Sequence, residues 1–189
     1  MTVIVAYKTT DHSNKMVLSA DKRSVAGSEK VLMNAIKIHT CKHFLIWLSG
    51  DAEVSSDIEY GLLSLDHIKA TYKDLKLKLY PLLRDRINRR RKEPYVNTEW
   101  YLHNDMSVLI VTKNKIWQID PFGEVTDHTE RGYAAIWTGT PFALGYFAGL
   151  YTRRYSPDVD EADWPVAIRA ASTFMTTIWP DADTLTLDC

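Results

Sequence analysis

The chain has 189 residues, of which 46% are hydrophobic and 11% aromatic, and its formal net charge is −1. This composition excludes a disordered chain, and the length suits a single domain, residues 1–189, with a sizeable core. The small net charge excludes a global attraction to nucleic acid or to anionic membranes. Cys41 and Cys189 lack metal-ligand spacing and one is the last residue, so we expect no structural disulfide and a cytoplasmic setting.

The first part of the chain is predicted to contain four strands followed by two helices. The strands are expected in two pairs, residues 2–8 with 15–20, and residues 31–40 with 43–49. From residue 51 apolar side chains recur at intervals of three and four, which indicates two helices packed side by side on a sheet. Pro81 lies late in this stretch and is expected to kink it or to end one helix.

The second part is predicted to contain three strands, two helices and a closing strand. After a linker-like patch, these elements are expected at residues 106–112, 115–120, 133–137, 140–155, 161–179 and 184–188. Two antiparallel sheets that face each other, each covered outside by a pair of helices, would satisfy this order. The sequence is therefore compatible with an α+β fold, a four-layer αββα sandwich, although composition alone does not separate it from other α+β layouts.

Thr2 is the first candidate for chemistry. Removal of Met1 would leave a residue that carries both a hydroxyl and a free α-amine. An α-amine titrates at about 7.7–8.0, so one residue would provide the nucleophile and the general base. Taken alone, Thr2 is more simply explained as a β-branched strand residue.

Asp21 and Lys37 form the second candidate group. Lys37 lies between two isoleucines in "NAIKIH", where a lysine is a misfit unless a carboxylate faces it. Asp21 ends the second predicted strand, sixteen residues earlier. A pair between them would place a cation near the Thr2 amine and lower the pKa of that amine. An ion pair with a purely structural role explains the spacing equally well.

Two strand-to-helix turns contain glycines that could approach a substrate. In "WLSGDAEV" the N–H of Gly50 would stabilise a developing oxyanion, whereas the simpler reading is a turn with Asp51 as the N-cap. In "WTGTPF" Thr138 and Gly139 occupy a similar turn, and Pro141 suits the first position of the helix.

The segments TVIVAYK, SADKRSVAG, AIKI, LSGDAEV, SVLIV and AIWTGTPFALG together resemble the proteasome β-subunit and HslV peptidase family of N-terminal-nucleophile hydrolases. The resemblance covers nearly the whole chain, in the family's order, and suggests a small bacterial or phage homologue. It implies the αββα fold and an attack on the peptide carbonyl by Thr2. It also implies that Lys37, paired with Asp21, assists the nucleophile, that Arg23 supports this site, and that Gly50 donates to the oxyanion.

The resemblance extends to supporting residues, with two departures. Leu48 and Ala52 would line the pocket for an apolar substrate side chain. Thr138 and Gly139 stand where family members have a Ser-Gly step, so a hydroxyl is retained. The family's carboxylate and Ser-Gly turn after the last helix have no clear match among residues 176–183. Thr176 or Thr177 could occupy this place, and Asp181 could replace the carboxylate.

Three functions follow from these observations. The resemblance implies a threonine peptidase in a self-compartmentalising homo-oligomeric ring, hexameric or heptameric and possibly double, that needs no cofactor. Its substrate would be a polypeptide, and an ATPase unfoldase could feed it. The alternatives are an inert structural or assembly protein that retains Met1, and a small-amide hydrolase with the same nucleophile.

Other partner classes are disfavoured by sequence. Residues 84–92 carry a net charge of +5, but no aromatic residues are interleaved, so we expect a solvated helix face or a subunit contact rather than nucleic-acid binding. The six histidines lack ligand spacing, so no metal site is predicted. The apolar run 44–48 is too short to span a bilayer, and no signal peptide is recognisable.

Overall fold

The computed structural model describes residues 3–10, 14–21, 37–48, 52–90, 106–136, 140–152, 163–174 and 182–189. The strands in these ranges are β1 Ile4–Lys8, β2 Lys15–Asp21, β3 Ile38–Thr40, β4 Leu45–Leu48, β5 Val108–Val111, β6 Ile116–Ile119, β7 Val125–Asp127, β8 Tyr133–Ile136 and β9 Ala182–Asp188. The helices are α1 Ala52–Glu59, α2 residues 72–90, α3 Thr140–Thr152 and α4 Asp163–Phe174.

The strands form two sheets. The first sheet has the order β8-β1-β2-β9 and the second has the order β3-β4-β5-β6-β7. Every hydrogen-bonded pair of neighbouring strands is antiparallel. Sequential strands mostly pair directly, and β9 returns from the end of the chain to the edge of the first sheet.

Alternating side chains assign each face of the first sheet to a different layer. On β1, Ile4 and Ala6 pack against the second sheet, whereas Val5 and Tyr7 pack against α3 and α4. The Tyr7 ring lies 4.9 Å from the ring of Phe147 on α3. This alternation is the two-residue period of a strand that is buried on both faces.

The second sheet has the same arrangement. On β4, Leu45 and Trp47 face the first sheet, while Ile46 and Leu48 pack in the cluster that contains side chains of α1 and α2. The layers are therefore α3 with α4, the first sheet, the second sheet, and α1 with α2. The predicted αββα sandwich is confirmed.

One strand was missed by sequence. Three strands were predicted between the two helix pairs, but β7 is a fourth. Only Val125 of β7 is buried, because its other residues are exposed at the edge of the sheet. Three residues with a single apolar side chain carry no recognisable alternation.

Pro81 does not end a helix. The helix α2 consists of Tyr72–Asp74, a π-helical turn at Leu75–Leu79, and Tyr80–Arg90. The N–H of Tyr80 donates to the carbonyl of Leu75, which is the wider π spacing. Proline removes one N–H from the helical ladder, and the turn immediately before it is the irregular one. Of the two expected outcomes at Pro81, a kink or a helix end, the helix end is wrong.

Candidate active site

The first residue that the structure describes, Val3, is fixed to the end of β2. Its N–H donates to Oδ1 of Asp21 at 3.1 Å, and its carbonyl accepts from the N–H of Asp21 at 3.2 Å. Val3 is fully buried. The residue after Thr2 is therefore held against the carboxylate that the sequence singled out.

Asp21 and Lys37 form a buried ion pair. Lys37 Nζ lies 3.3 Å from Asp21 Oδ1, and the side chains are 9% and 0% exposed. Asp21 ends β2 in the first sheet, and Lys37 immediately precedes β3 in the second. The pair thus joins the two sheets at one end of the sandwich. An ionised carboxylate at such a site requires a partner, and the sequence argument identified the correct one.

Burial and neighbouring charges have opposite effects on the pKa of Lys37. Burial is the larger influence and lowers the pKa of Lys37 below its ordinary value, because it disfavours the charged form. Asp21, by its charge and its hydrogen bond, and Asp183, by its charge, raise this pKa in part. A protonated Lys37 would in turn lower the pKa of an amine beside it.

Asp183 is a charged neighbour that the sequence did not single out. It lies on β9, directly opposite Ala20 on β2, and the neighbouring pair is Ala182 with Asp21. Sequence reasoning left the range 176–183 open and named Asp181 instead. The closing strand begins two residues before its predicted start. Its pairing with β2 could not be read from a local pattern.

Described strands flank several of the other candidate residues along the chain. Thr2, Arg23, Gly50, Thr138 and Gly139 lie outside the described residues. The elements that flank them are described, and Ile4 at the start of β1 pairs with both Ala20 of β2 and Ile136 of β8. The described strand ends that are next in sequence to Thr2 and Thr138 therefore lie beside the end of β2, which carries Asp21.

Leu48 and Ala52 flank the segment that contains Gly50. Leu48 is the last residue of β4, is 7% exposed, and packs in a cluster with Val54 of α1. Ala52 is the first residue of α1, and its side chain lies outside the described part. The end of β4 and the start of α1 are thus joined by residues 49–51. Thr176, Thr177 and Asp181 also lie outside the described residues.

A buried histidine connects β3 to α1. His39 on β3 is 5% exposed, and its Nε2 lies 2.6 Å from Oγ of Ser55 on α1. Burial lowers the pKa of His39, and the charge of Glu59 raises it in part. Sequence reasoning gave His39 no role, since Ser55 is sixteen residues away and on a different element.

The basic stretch is largely a surface feature in its described part. Arg84, Asp85, Asn88 and Arg89 are exposed, and Arg89 pairs with Asp85 at 2.7 Å. Within the described ranges, no group of three or more His, Cys, Asp or Glu residues could hold a metal ion. No helix in the same ranges is long and apolar enough to cross a membrane.

Comparison with known proteins identifies the fold. No protein-family model and no curated protein matches the chain. Solved structures do match, among them BPH from Thiobacillus denitrificans in complex with epoxomicin, with a TM-score of 0.69, 17% identity and 98% of each chain covered. HslV from Trypanosoma brucei matches with a TM-score of 0.65 and 17% identity over 99% of each chain. The chain has the proteasome β-subunit and HslV-type fold.

A third solved structure with this proteasome-like fold also matches the chain. Anbu, an ancestral β-subunit from Yersinia bercovieri, matches with a TM-score of 0.69 and 15% identity, over 97% of this chain and 80% of that one. The predicted resemblance is therefore confirmed as a likeness of fold. Identities of 15–17% support a shared fold only, so a catalytic role has to be inferred from the site residues of this chain.

Proposed function

We propose that this chain is a threonine-type peptidase subunit in which Thr2, after removal of Met1, is the nucleophile. The observation that carries the proposal is the buried ion pair between Asp21 and Lys37, together with the hydrogen bond from Val3 to Asp21. A buried ion pair contributes little net stability compared with apolar residues of similar volume. Its position next to the residue that follows Thr2 supports a chemical role.

In the proposed reaction, Oγ of Thr2 attacks a peptide carbonyl, and the amine of the same residue accepts the proton. Protonated Lys37, held by Asp21, keeps that amine neutral by raising the cost of a second positive charge. The N–H of Gly50 stabilises the oxyanion, with Thr138, Gly139 and Arg23 in support. The oxyanion then collapses as the peptide C–N bond breaks, and the Thr2 ammonium returns its proton to the leaving amine. Water hydrolyses the resulting ester, which releases the carboxylic acid product and restores the Thr2 hydroxyl, and no metal or cofactor is needed for these steps.

We further propose that Leu48 and Ala52 contribute to the substrate pocket. Both flank the segment that contains Gly50, and Leu48 is an apolar residue at the end of β4 that is 7% exposed. A substrate with an apolar residue before the cleaved bond would suit this position. Replacement of Leu48 by a smaller apolar residue should therefore change the preferred side chain.

The fold supports a homo-oligomeric assembly as part of the same proposal. Residues 1–189 would form one domain, and identical domains would assemble in the cytoplasm into a ring of six or seven subunits, single or stacked. Polypeptides would be cleaved inside the ring, with an ATPase unfoldase as a further partner. Native mass spectrometry of the purified protein measures the number of subunits directly.

The decisive experiment is the intact mass of the protein before and after incubation with epoxomicin, the compound bound to the Thiobacillus denitrificans neighbour. An epoxyketone closes its ring only on a threonine that offers a free amine and a hydroxyl. We expect loss of one methionine and one adduct per chain. Thr2→Ala should abolish the adduct, whereas Thr10→Ala, the same change at an exposed position on the same segment, should not.

The opposite result would contradict the proposal of a peptidase. A retained Met1 with no adduct would leave a proteasome-like subunit with a structural or assembly role. An adduct without cleavage of any peptide would favour an amidase that acts on small amides.

A further inference from the structure

We infer that Asp183 is a positioning residue that holds Lys37 in its protonated form as a second counter-charge beside Asp21. The inference rests on the proposed function and deepens it, because it adds a carboxylate on the closing strand β9 to the pair formed by Asp21 and Lys37. It concerns residues that the structure describes, unlike Asp181.

The register of β9 places Asp183 on the face that looks toward the second sheet. Asp183 lies opposite Ala20, and Ala20 belongs to the cluster between the sheets. Leu187, four residues along β9, packs against the same cluster, as the two-residue period of a strand requires. β9 also contacts β3, the strand that Lys37 immediately precedes. Asp183 is half-buried at this position.

Contacts from β2 fix the backbone of β9 at this point. The hydroxyl of Ser19 donates to the carbonyl of Asp183 at 3.0 Å, and it lies 2.9 Å from Oγ1 of Thr184. Ser19 is fully buried. The carboxylate of Asp183 therefore projects from a strand segment that is held by side-chain as well as ladder hydrogen bonds.

Two carboxylates oppose the effect of burial on the charge of Lys37. Burial lowers the pKa of Lys37, and both Asp21 on β2 and Asp183 on β9 counteract this. Among the described titratable groups, His39 on β3 is two residues from Lys37 along the chain; its own pKa is lowered by burial, and it is bonded to Ser55. A neutral His39 adds no charge of either sign near Lys37. The two carboxylates together thus favour a net negative surrounding that keeps a buried lysine protonated.

The test compares Asp183→Asn with Asp188→Asn, which makes the same change of charge on the same strand. Asp188 is exposed and lies opposite Lys15. It is about 17 Å from Asp183 along β9 and on the other face of that strand. The pKa of Lys37 is measured by NMR on the full chain with ¹³Cε-labelled lysine, and its signal is assigned from Lys37→Arg. Peptide cleavage is followed as kcat/KM against pH.

Asp183→Asn should lower the pKa of Lys37 and reduce kcat/KM by about three- to tenfold at those pH values where Lys37 of the variant has lost its charge and the Thr2 amine still needs that charge to be neutral; at higher pH, where the amine is neutral without assistance, the variant should approach the wild type. Asp183→Glu should restore the profile in part, and Asp188→Asn should match the wild type. An unchanged Lys37 pKa in a folded Asp183→Asn variant would overturn the inference. If the wild type cleaves no peptide, the proposed function fails, and the NMR titration still decides whether Asp183 is a counter-charge.

Discussion

Replacement of Lys37 by methionine tests whether the ion pair with Asp21 is a true buried pair. The variant removes the Lys37 cation from the fully buried Asp21 carboxylate and keeps the hydrogen bond from the N–H of Val3. Loss of one partner of a buried pair costs roughly 3–5 kcal/mol, and we expect about 3 kcal/mol because Val3 offsets part of the charge. For a chain of this size this corresponds to a fall in Tm of about 6–12 °C.

The assay is urea unfolding followed by tryptophan fluorescence, with the free energy of unfolding extrapolated to zero denaturant. Lys115→Met is the matched control, because Lys115 pairs with Asp127 at 2.6 Å but the two side chains are 42% and 34% exposed. An exposed pair contributes under about 1 kcal/mol, so this variant should be nearly as stable as the wild type. The double variant Asp21→Asn with Lys37→Met should recover about 2 kcal/mol of the loss, since no charge remains unpaired.

Two results would refute this reasoning. A loss of less than about 1 kcal/mol in Lys37→Met would mean that solvent screens the Asp21 carboxylate despite its burial. A double variant no more stable than Lys37→Met would mean that packing of the lysine stem, rather than charge, accounts for the loss.

Two further predictions concern a titrating group and a pair of glycines. The pKa of His39 is lowered in the folded state. Below about pH 6.5 the unfolded chain therefore binds a proton that the folded chain does not. The free energy of unfolding should fall on acidification from about pH 6.5, and it should fall less steeply in His39→Gln. Denaturant unfolding at pH 5–7 checks the slope, and equal slopes would exclude the role of His39. Gly123 has φ +80° and a Cβ there would lie 2.5 Å from the Tyr80 ring, whereas a Cβ at Gly145 of α3 meets nothing within 4 Å. Gly123→Ala should therefore cost about 1–3 kcal/mol and Gly145→Ala should stabilise by about 0.5–1 kcal/mol, and thermal unfolding that ranks them the other way would contradict the turn geometry.

The parts of the fold that sequence predicts are those with a strong local pattern. β1 and β2 alternate or run apolar over five to seven residues, and their predicted bounds agree with the structure to within two residues. β7 has one buried residue and no pattern, so it was missed. The π turn before Pro81 depends on how one helix accommodates a missing N–H, and a hydrophobic period does not report this.

The candidate site also contains residues that the sequence could predict and residues that it could not. Lys37 was identifiable because a lysine among isoleucines needs a carboxylate, and Asp21 ends a predicted strand sixteen residues earlier. Asp183 and the contact between His39 and Ser55 depend on strand register and on the packing of α1 against the second sheet. Such contacts join residues that are distant in sequence, and no local pattern specifies them.

The double variant also separates stability from chemistry. If Asp21→Asn with Lys37→Met is nearly as stable as the wild type, the ion pair is not needed to hold the two sheets together, since apolar or neutral groups serve as well. The same folded variant should then fail to form the epoxomicin adduct at neutral pH, because without the Lys37 cation the Thr2 amine is protonated more readily and accepts the hydroxyl proton poorly. Adduct formation should return as the pH is raised, since the amine then loses its proton without assistance. A stable double variant that reacts as fast as the wild type at pH 7 would instead assign the pair to structure and remove the main support for the catalytic role of Lys37.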